Sequence, residues 1–307
     1  MPTAEPADQL AGEADRLGDL VNGHPEHVDE VLPQLVRILT STDASRVLLA
    51  CIAALGHAWH PAAAAALLDH VRPDHPDPQV RLALAQALPG GIDTPGDLRD
   101  RTIDALILLT ADAEPHVRDW AAFGLGQLQA RSPSAREALA GLLHDPDHDA
   151  RCEALQALAA AGDDRAHPVL LARLDASGDL CLVELEAAAA LAAPDLHPGL
   201  QRLAEEWAGD ADEFTQTLEL ALSRCHPDAA ALAGQVEQNL LEIVRGVVQE
   251  PAGVQLQGAY PRTALIITRD GDPEVHLDVW ADGEDPTDYP VTHVVGAVLG
   301  ALAPPEP

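Results

Sequence analysis

Histidine followed by proline occurs six times in this chain, and five of these pairs, at 24–25, 60–61, 167–168, 197–198 and 226–227, fall where the second helix of a hairpin is expected to begin. Histidine is the side chain best suited to ligate metals or move protons near neutral pH. Recurrence at one place in a helical pattern points elsewhere, to a polar cap followed by proline in the first turn. His144-Asp145-Pro146-Asp147-His148-Asp149, with His75 as a potential neighbour, has the composition of a divalent-metal loop. It lacks two ligands at fixed spacing on one helix, so no metal and no cofactor is expected. Eight acids and no base lie between Asp270 and Asp288. Calcium favours such loops, but Asp270-Gly271-Asp272-Pro273-Glu274 does not follow the EF-hand order, and a solvated acidic surface is the expectation. Arg81, Arg118 and Arg151 recur at one position and can either bind an anion or form a ladder with Asp and Glu of adjacent turns; the ladder is preferred.

Other chemistry is excluded more directly. The sequence holds no nucleophile elbow, no His-Glu-x-x-His and no glycine-rich phosphate loop. All 18 bases are arginine, which removes the Schiff-base amine and the P-loop lysine. Fifty acids give a formal net charge of −32. So acidic a chain repels phosphate backbones and anionic lipid, so neither nucleic acid nor membrane is an expected partner. Cys51, Cys152, Cys181 and Cys225 are widely separated and read as small apolar residues in a reducing compartment. The first twenty residues are acidic and lack an apolar core, and no apolar run reaches about 18 residues, so a soluble cytoplasmic protein is expected.

The elements that carry these residues are helical. Apolar residues make up 47% of the chain and aromatics only 3%, so the core is built of Ala, Leu and Val, which suits close helix packing. Taking Leu158 as a marker, equivalent leucines before a turn fall at 20, 55, 88, 125, 158, 191 and 222, with spacings of 35, 33, 37, 33, 33 and 31. A near-constant period of that length is the signature of a repeat array. Leu55, Leu88, Leu125, Leu158 and Leu191 are the structural markers of the repeat. Asp77-Pro78, Glu114-Pro115 and Asp147 place an acid where a first helix of each unit begins.

Asp77-Pro78-Gln79-Val80-Arg81, followed by Ala-Leu, a polar turn and then His167-Pro168-Val169-Leu170-Leu171, resembles the HEAT repeat family, in particular the bacterial HEAT-like repeats of the phycobilin-lyase subclass. The resemblance spans roughly residues 10–245. Arg81, Arg118 and Arg151 match the arginine that the family favours seven positions before the marker; Glu13, Leu48, Glu184 and Thr215 depart from it, so the outer units read as degenerate capping repeats. The resemblance implies an all-α solenoid of about seven hairpins, with second helices lining a concave binding face.

Beyond about residue 250 the pattern changes. Residues 254–257, 263–269 and 274–280 read as strands, with Val275, Leu277 and Val279 alternating against polar partners, and 291–302 reads as a helix. The expected organisation is an α-solenoid over 1–249 and a small α+β cap over 250–307.

Function follows from surface and charge more than from motif. The expectation is a noncatalytic interaction scaffold or adaptor presenting an acidic concave surface to a basic protein partner. Trp59, Trp120 and Trp207 are each either core or binding anchors, and Trp207, beside Glu205 and Glu206, is the chosen anchor. Arg202 and Arg173 complete the candidate partner-binding set. The alternatives are an inhibitor or immunity-type protein that neutralises a basic toxin or nucleic-acid-binding protein, and a HEAT-like lyase or glycosylase-type enzyme; to the glycosylase type, which must approach a phosphate backbone, the negative charge is an objection.

Overall fold

A computed structural model describes residues 4–92, 95–176, 180–207, 212–247, 253–268 and 274–280. Among these lie fourteen α-helices followed by three strands. The chain divides into two units, Met1–Ala166 and His167–Pro307.

The first unit holds α1 (Ala4–Gly23), α2 (Val28–Leu39), α3 (Ser45–His57), α4 (Pro61–His70), α5 (Pro78–Ala87), α6 (Asp97–Leu109), α7 (Pro115–Gln127), α8 (Pro133–Leu142) and α9 (His148–Ala160). Helix starts follow local chemistry. Asp77, Ser132 and Asp147 accept from the backbone N–H of Gln79, Ala135 and Ala150 at 2.9, 3.2 and 3.1 Å, which satisfies donors that a first turn leaves open. Alternate helices pack together: α1 on α3, α3 on α5, α5 on α7 and α7 on α9, with α2, α4, α6 and α8 forming a parallel series. This is the solenoid-like arrangement that the period predicts. Small residues let the first helices approach closely; a Cβ on Gly18 would lie 2.9 Å from Ala54 Cβ. Leu55, Leu88, Leu125 and Leu158 are all buried to within 1% of full burial, each in the layer between neighbouring hairpins. Leu20 is 39% exposed, so the period continues to the first unit while the core position does not.

The second unit holds α10 (Ala166–Asp175), α11 (Leu182–Leu191), α12 (His197–Glu206), α13 (Glu213–Arg224), α14 (Ala229–Val247) and strands β1 (Gly253–Gln257), β2 (Ala264–Thr268) and β3 (Val275–Asp278). Its helices repeat the pattern, α11 packing on α13, but Leu191 is only partly buried. The strands form an antiparallel sheet in the order β1-β2-β3, with Val254 opposite Ile267 and Leu265 opposite Leu277. One sheet face shares a core with α14, where Leu240, Val244, Leu265, Ile267, Val279 and Trp280 come together. A two-stranded hairpin alone is marginal in water; here a third strand and the packing on α14 support it, Trp280 Nε1–H donates to Glu237 on α14 at 2.7 Å, and Arg224 on α13 donates to the Trp280 carbonyl at 2.9 Å. The predicted 270–273 turn and 291–302 helix lie outside the described residues.

Candidate functional site

The arginines of the repeat form a ladder. Arg81 on α5 grips Asp112, in the loop before α7, through Nε at 2.6 Å and Nη2 at 2.8 Å, while Nη1 donates to the His75 carbonyl at 2.7 Å. One repeat later Arg118 does the same with Asp145, at 2.8 and 2.7 Å, and with the Asp112 carbonyl at 2.9 Å. Arg151 donates to the carbonyls of Asp145 and Asp147. Each aspartate thus accepts from one arginine through its carboxylate and from the next through its backbone. The guanidinium beside each holds the Asp112 and Asp145 carboxyls below the usual carboxylate range. Sequence reasoning names the arginines; their partners sit six residues before the following arginine, a spacing that was there to be read.

The histidines divide. His60 is the N-cap of α4, accepting from Ala62 N–H at 3.2 Å, and His226 accepts from Asp228 N–H in the turn before α14. The other three pairs are not N-caps, which corrects the single-role reading: His24 bonds Glu26, His167 lies inside the first turn of α10 and bonds Asp195 at 2.8 Å, and His197 is buried edge-to-face against His226. Proline at the following position sets the helix start with or without the imidazole.

The candidate partner-binding residues cluster in the second unit. Glu205 and Glu206 are exposed at the end of α12. Trp207, which caps it, is 40% exposed; its ring lies 4.4 Å from that of Phe214 and its Nε1–H donates to Thr215 at 3.2 Å. Arg202 reaches the Leu174 carbonyl and Asp175 at 3.4 and 3.5 Å. Arg173 bonds the buried carboxylate of Glu184 at 2.6 Å, and Glu184 also accepts from Cys181 N–H. Arg173 and Arg202 therefore spend hydrogen bonds on their own unit, whereas Glu205, Glu206 and Trp207 face solvent.

A second surface, in the first unit, is one that sequence reasoning missed. Trp59 is 67% exposed, and Trp120 and Phe123 are both more than a third exposed. Of the two readings the sequence leaves open for Trp59 and Trp120, core or binding anchor, this exposure is at odds with core. With Gly56, Gln86 and Gly90 they border a cavity of about 350 Å³ on α3, α5 and α7. Small residues line much of it, with Ala53 and Gly56 from α3 and Ala83 and Ala87 from α5; Ala83 stands at the repeat position that Trp120 fills on α7. Trp120 and Phe123 meet edge-to-face with centroids 5.4 Å apart. Their size alone suggested core; the clue was a tryptophan at a position that the neighbouring units fill with Ala83 and Glu153, neither of them a large apolar core residue.

None of the four cysteines forms a disulfide. Burial pushes the thiols of Cys51 and Cys225 up to about 12, which removes the thiolate that nucleophilic catalysis needs.

Residues 103–192, from α6 to the end of α11, match the family model described as HEAT repeats. The match names no lyase subclass. HEAT repeat proteins generally act as protein-interaction scaffolds. No curated protein matches the sequence. Among solved structures, the X-ray structure of Escherichia coli YibA is similar over 65% of this chain and 70% of its own, with 23% identity and a TM-score of 0.52. An engineered protein is 20% identical, with a TM-score of 0.49, over 78% of this chain and 70% of its own. The likeness to YibA is to the fold alone.

Proposed function

We propose that this protein is a noncatalytic interaction scaffold that presents an acidic surface to a basic protein partner, with residues 1–249 as the presenting array, 250–307 closing its end, and the cytoplasm as its location. The observation that carries this reading is where the positive charge goes. Among the described residues nine arginines, at 37, 46, 72, 81, 101, 118, 165, 173 and 202, pair with carboxylates of the same chain. Five more, Arg99, Arg151, Arg224, Arg245 and Arg262, donate to backbone carbonyls. The bases serve the fold, and the excess of acids, 50 against 18, is left to the surface. Such a surface attracts basic proteins and repels polyanions. No helix among the described residues is long and apolar enough to cross a membrane.

The test starts from a partner captured from the native cell and measures its association kinetics against salt. Association should slow as ionic strength rises, because exposed charges are screened over roughly 8–10 Å near physiological salt. Glu205→Arg with Glu206→Arg should slow association, while Trp207→Ala should speed dissociation. An acidic partner, or binding indifferent to both salt and charge reversal, would end this reading.

A further inference from the structure

The fold does not account for Trp59. In four successive repeats the residue three or four positions after the marker leucine is left-handed: Trp59 at φ 43°, Gly91 at 73°, Gln129 at 45° and Gly162 at 69°. That conformation ends the first helix and favours glycine. Two of the four repeats use glycine, yet here the position carries the largest side chain there is, with two thirds of it in solvent. Backbone crowding shows what the fold needs at this junction. A Cβ on Gly91 would come within 2.5 Å of the Trp59 carbonyl carbon, so the Trp59 main chain is packed and its ring is not. An exposed indole held in an unfavourable backbone state belongs to a binding site more than to a core.

We propose that the groove on α3, α5 and α7 receives an arginine side chain of a basic partner, its guanidinium laid against the indole of Trp59. The proposal rests on the basic-partner reading and places a contact of that partner on the first unit. Three aromatic side chains border the groove, and indole faces attract guanidinium cations by stacking and by their quadrupole. The side-chain amides of Gln86 and Gln127 on the lining supply oxygen acceptors for its N–H groups. Apart from His57, no residue that can carry positive charge lines the groove. Charge complementarity extends to the adjoining helix. At the repeat position of Trp120, Ala83 and Ala50, α1 carries the exposed Asp15, whose charge reaches α3 strongly enough to help raise the Cys51 thiol. A purely apolar anchor would use the rings and leave the amides and this carboxylate without a role.

The experiment titrates the full chain with a tri-arginine peptide and, separately, with tri-citrulline, which keeps the shape and hydrogen bonds but loses the charge. Binding is followed by tryptophan fluorescence and by the indole N–H signals in NMR. The expected result is that tri-arginine shifts the Trp59 and Trp120 indoles and binds at least ten-fold more tightly than tri-citrulline. Trp59→Gly should weaken tri-arginine at least five-fold without lowering the melting midpoint, because glycine suits the backbone there. Equal affinity for the two peptides would overturn the cation assignment, and a lower melting midpoint in Trp59→Gly would show a structural residue and overturn the argument. Salt-sensitive binding that ignores Trp59→Gly but is lost in Glu205→Arg/Glu206→Arg would overturn the groove while upholding the basic-partner reading.

Discussion

Removing Asp145 should detach Arg118 and loosen the junction between α7 and α9. The pair is nearly buried, with side-chain exposures of 13% for Arg118 and 8% for Asp145, and it is bidentate at 2.7 and 2.8 Å. With charge centres about 4 Å apart and an effective dielectric of about 20, the attraction is about 4 kcal/mol, before the cost of desolvating both groups. Breaking such a pair by deleting one partner costs about 3–5 kcal/mol, because the other charge stays buried without its counter-ion. We therefore expect Asp145→Ala to cost about 3 kcal/mol. The exposed pair of Arg101 and Asp69, 42% and 53% exposed, should give less than about 1 kcal/mol. Because arrays can unfold in stages, the assay is a double-mutant cycle of Arg118→Ala and Asp145→Ala, read both by urea unfolding and by amide hydrogen exchange in α7 and α9. Arg118→Lys is the geometric control: it keeps the charge, loses the fork and should retain less than half of the coupling. The lowered Asp145 pKa makes this contribution fully present above the ordinary carboxylate range and lost as pH falls through the folded value, below about pH 4. A coupling energy below about 0.5 kcal/mol, or an equal one for Arg101 and Asp69, would refute the ladder as a source of stability.

Leu158→Ala, at a fully buried position, should cost about 2–5 kcal/mol, whereas Leu20→Ala, 39% exposed, should cost well under 1 kcal/mol; equal melting shifts would refute the register of the array. Burial and the charges of Asp149 and Asp147 raise the Asp119 pKa to about 6, so its ionised form opposes folding above that pH and the penalty fades as pH falls towards the unfolded value of about 4. Asp119→Asn should therefore stabilise the protein by about 1 kcal/mol at pH 7.5, allowing for solvent screening, and leave it unchanged near pH 4; the opposite slope in a urea series would refute the assignment. Cys51 and Cys225, buried with thiols near 12, should react with a thiol reagent only after unfolding, and fast modification of both in the native protein would contradict their burial.

The array was legible because its signal is redundant. The marker leucine, the acid before each first helix and the recurrent arginine state the same period independently, and Leu88, Leu125 and Leu158 sit in the core as that period requires. The strands were legible to within two residues, the third ending at Asp278 and not at 280, since Val275, Leu277 and Val279 alternate and point their side chains at the α14 core. Exposure at single positions was less legible. Tryptophan size suggests burial, and whether Trp120 is covered depends on the side chains that adjacent helices present beside it. At that repeat position the helices packed on α7 present Ala83 from α5 and Glu153 from α9, and Trp120 is left 36% exposed. Trp59 was hidden for a different reason: its left-handed φ is set by the end of α3 and by the close approach of Gly91. Neither is visible in a helix-period pattern.

The absence of lysine ties the ladder to the acidic surface. Arg81 and Arg118 each satisfy a carboxylate with two N–H groups and a carbonyl with a third. An ammonium is a point charge on a flexible stem and cannot span both acceptors in a fixed plane. Junctions of this kind need arginine, and each also neutralises one aspartate. The acids that remain without a paired base, Glu205 and Glu206 among the exposed ones, are not needed to hold hairpins together. Replacing them changes the field around the protein and leaves the array in place, which is what allows charge reversal at the surface to report on binding separately from stability.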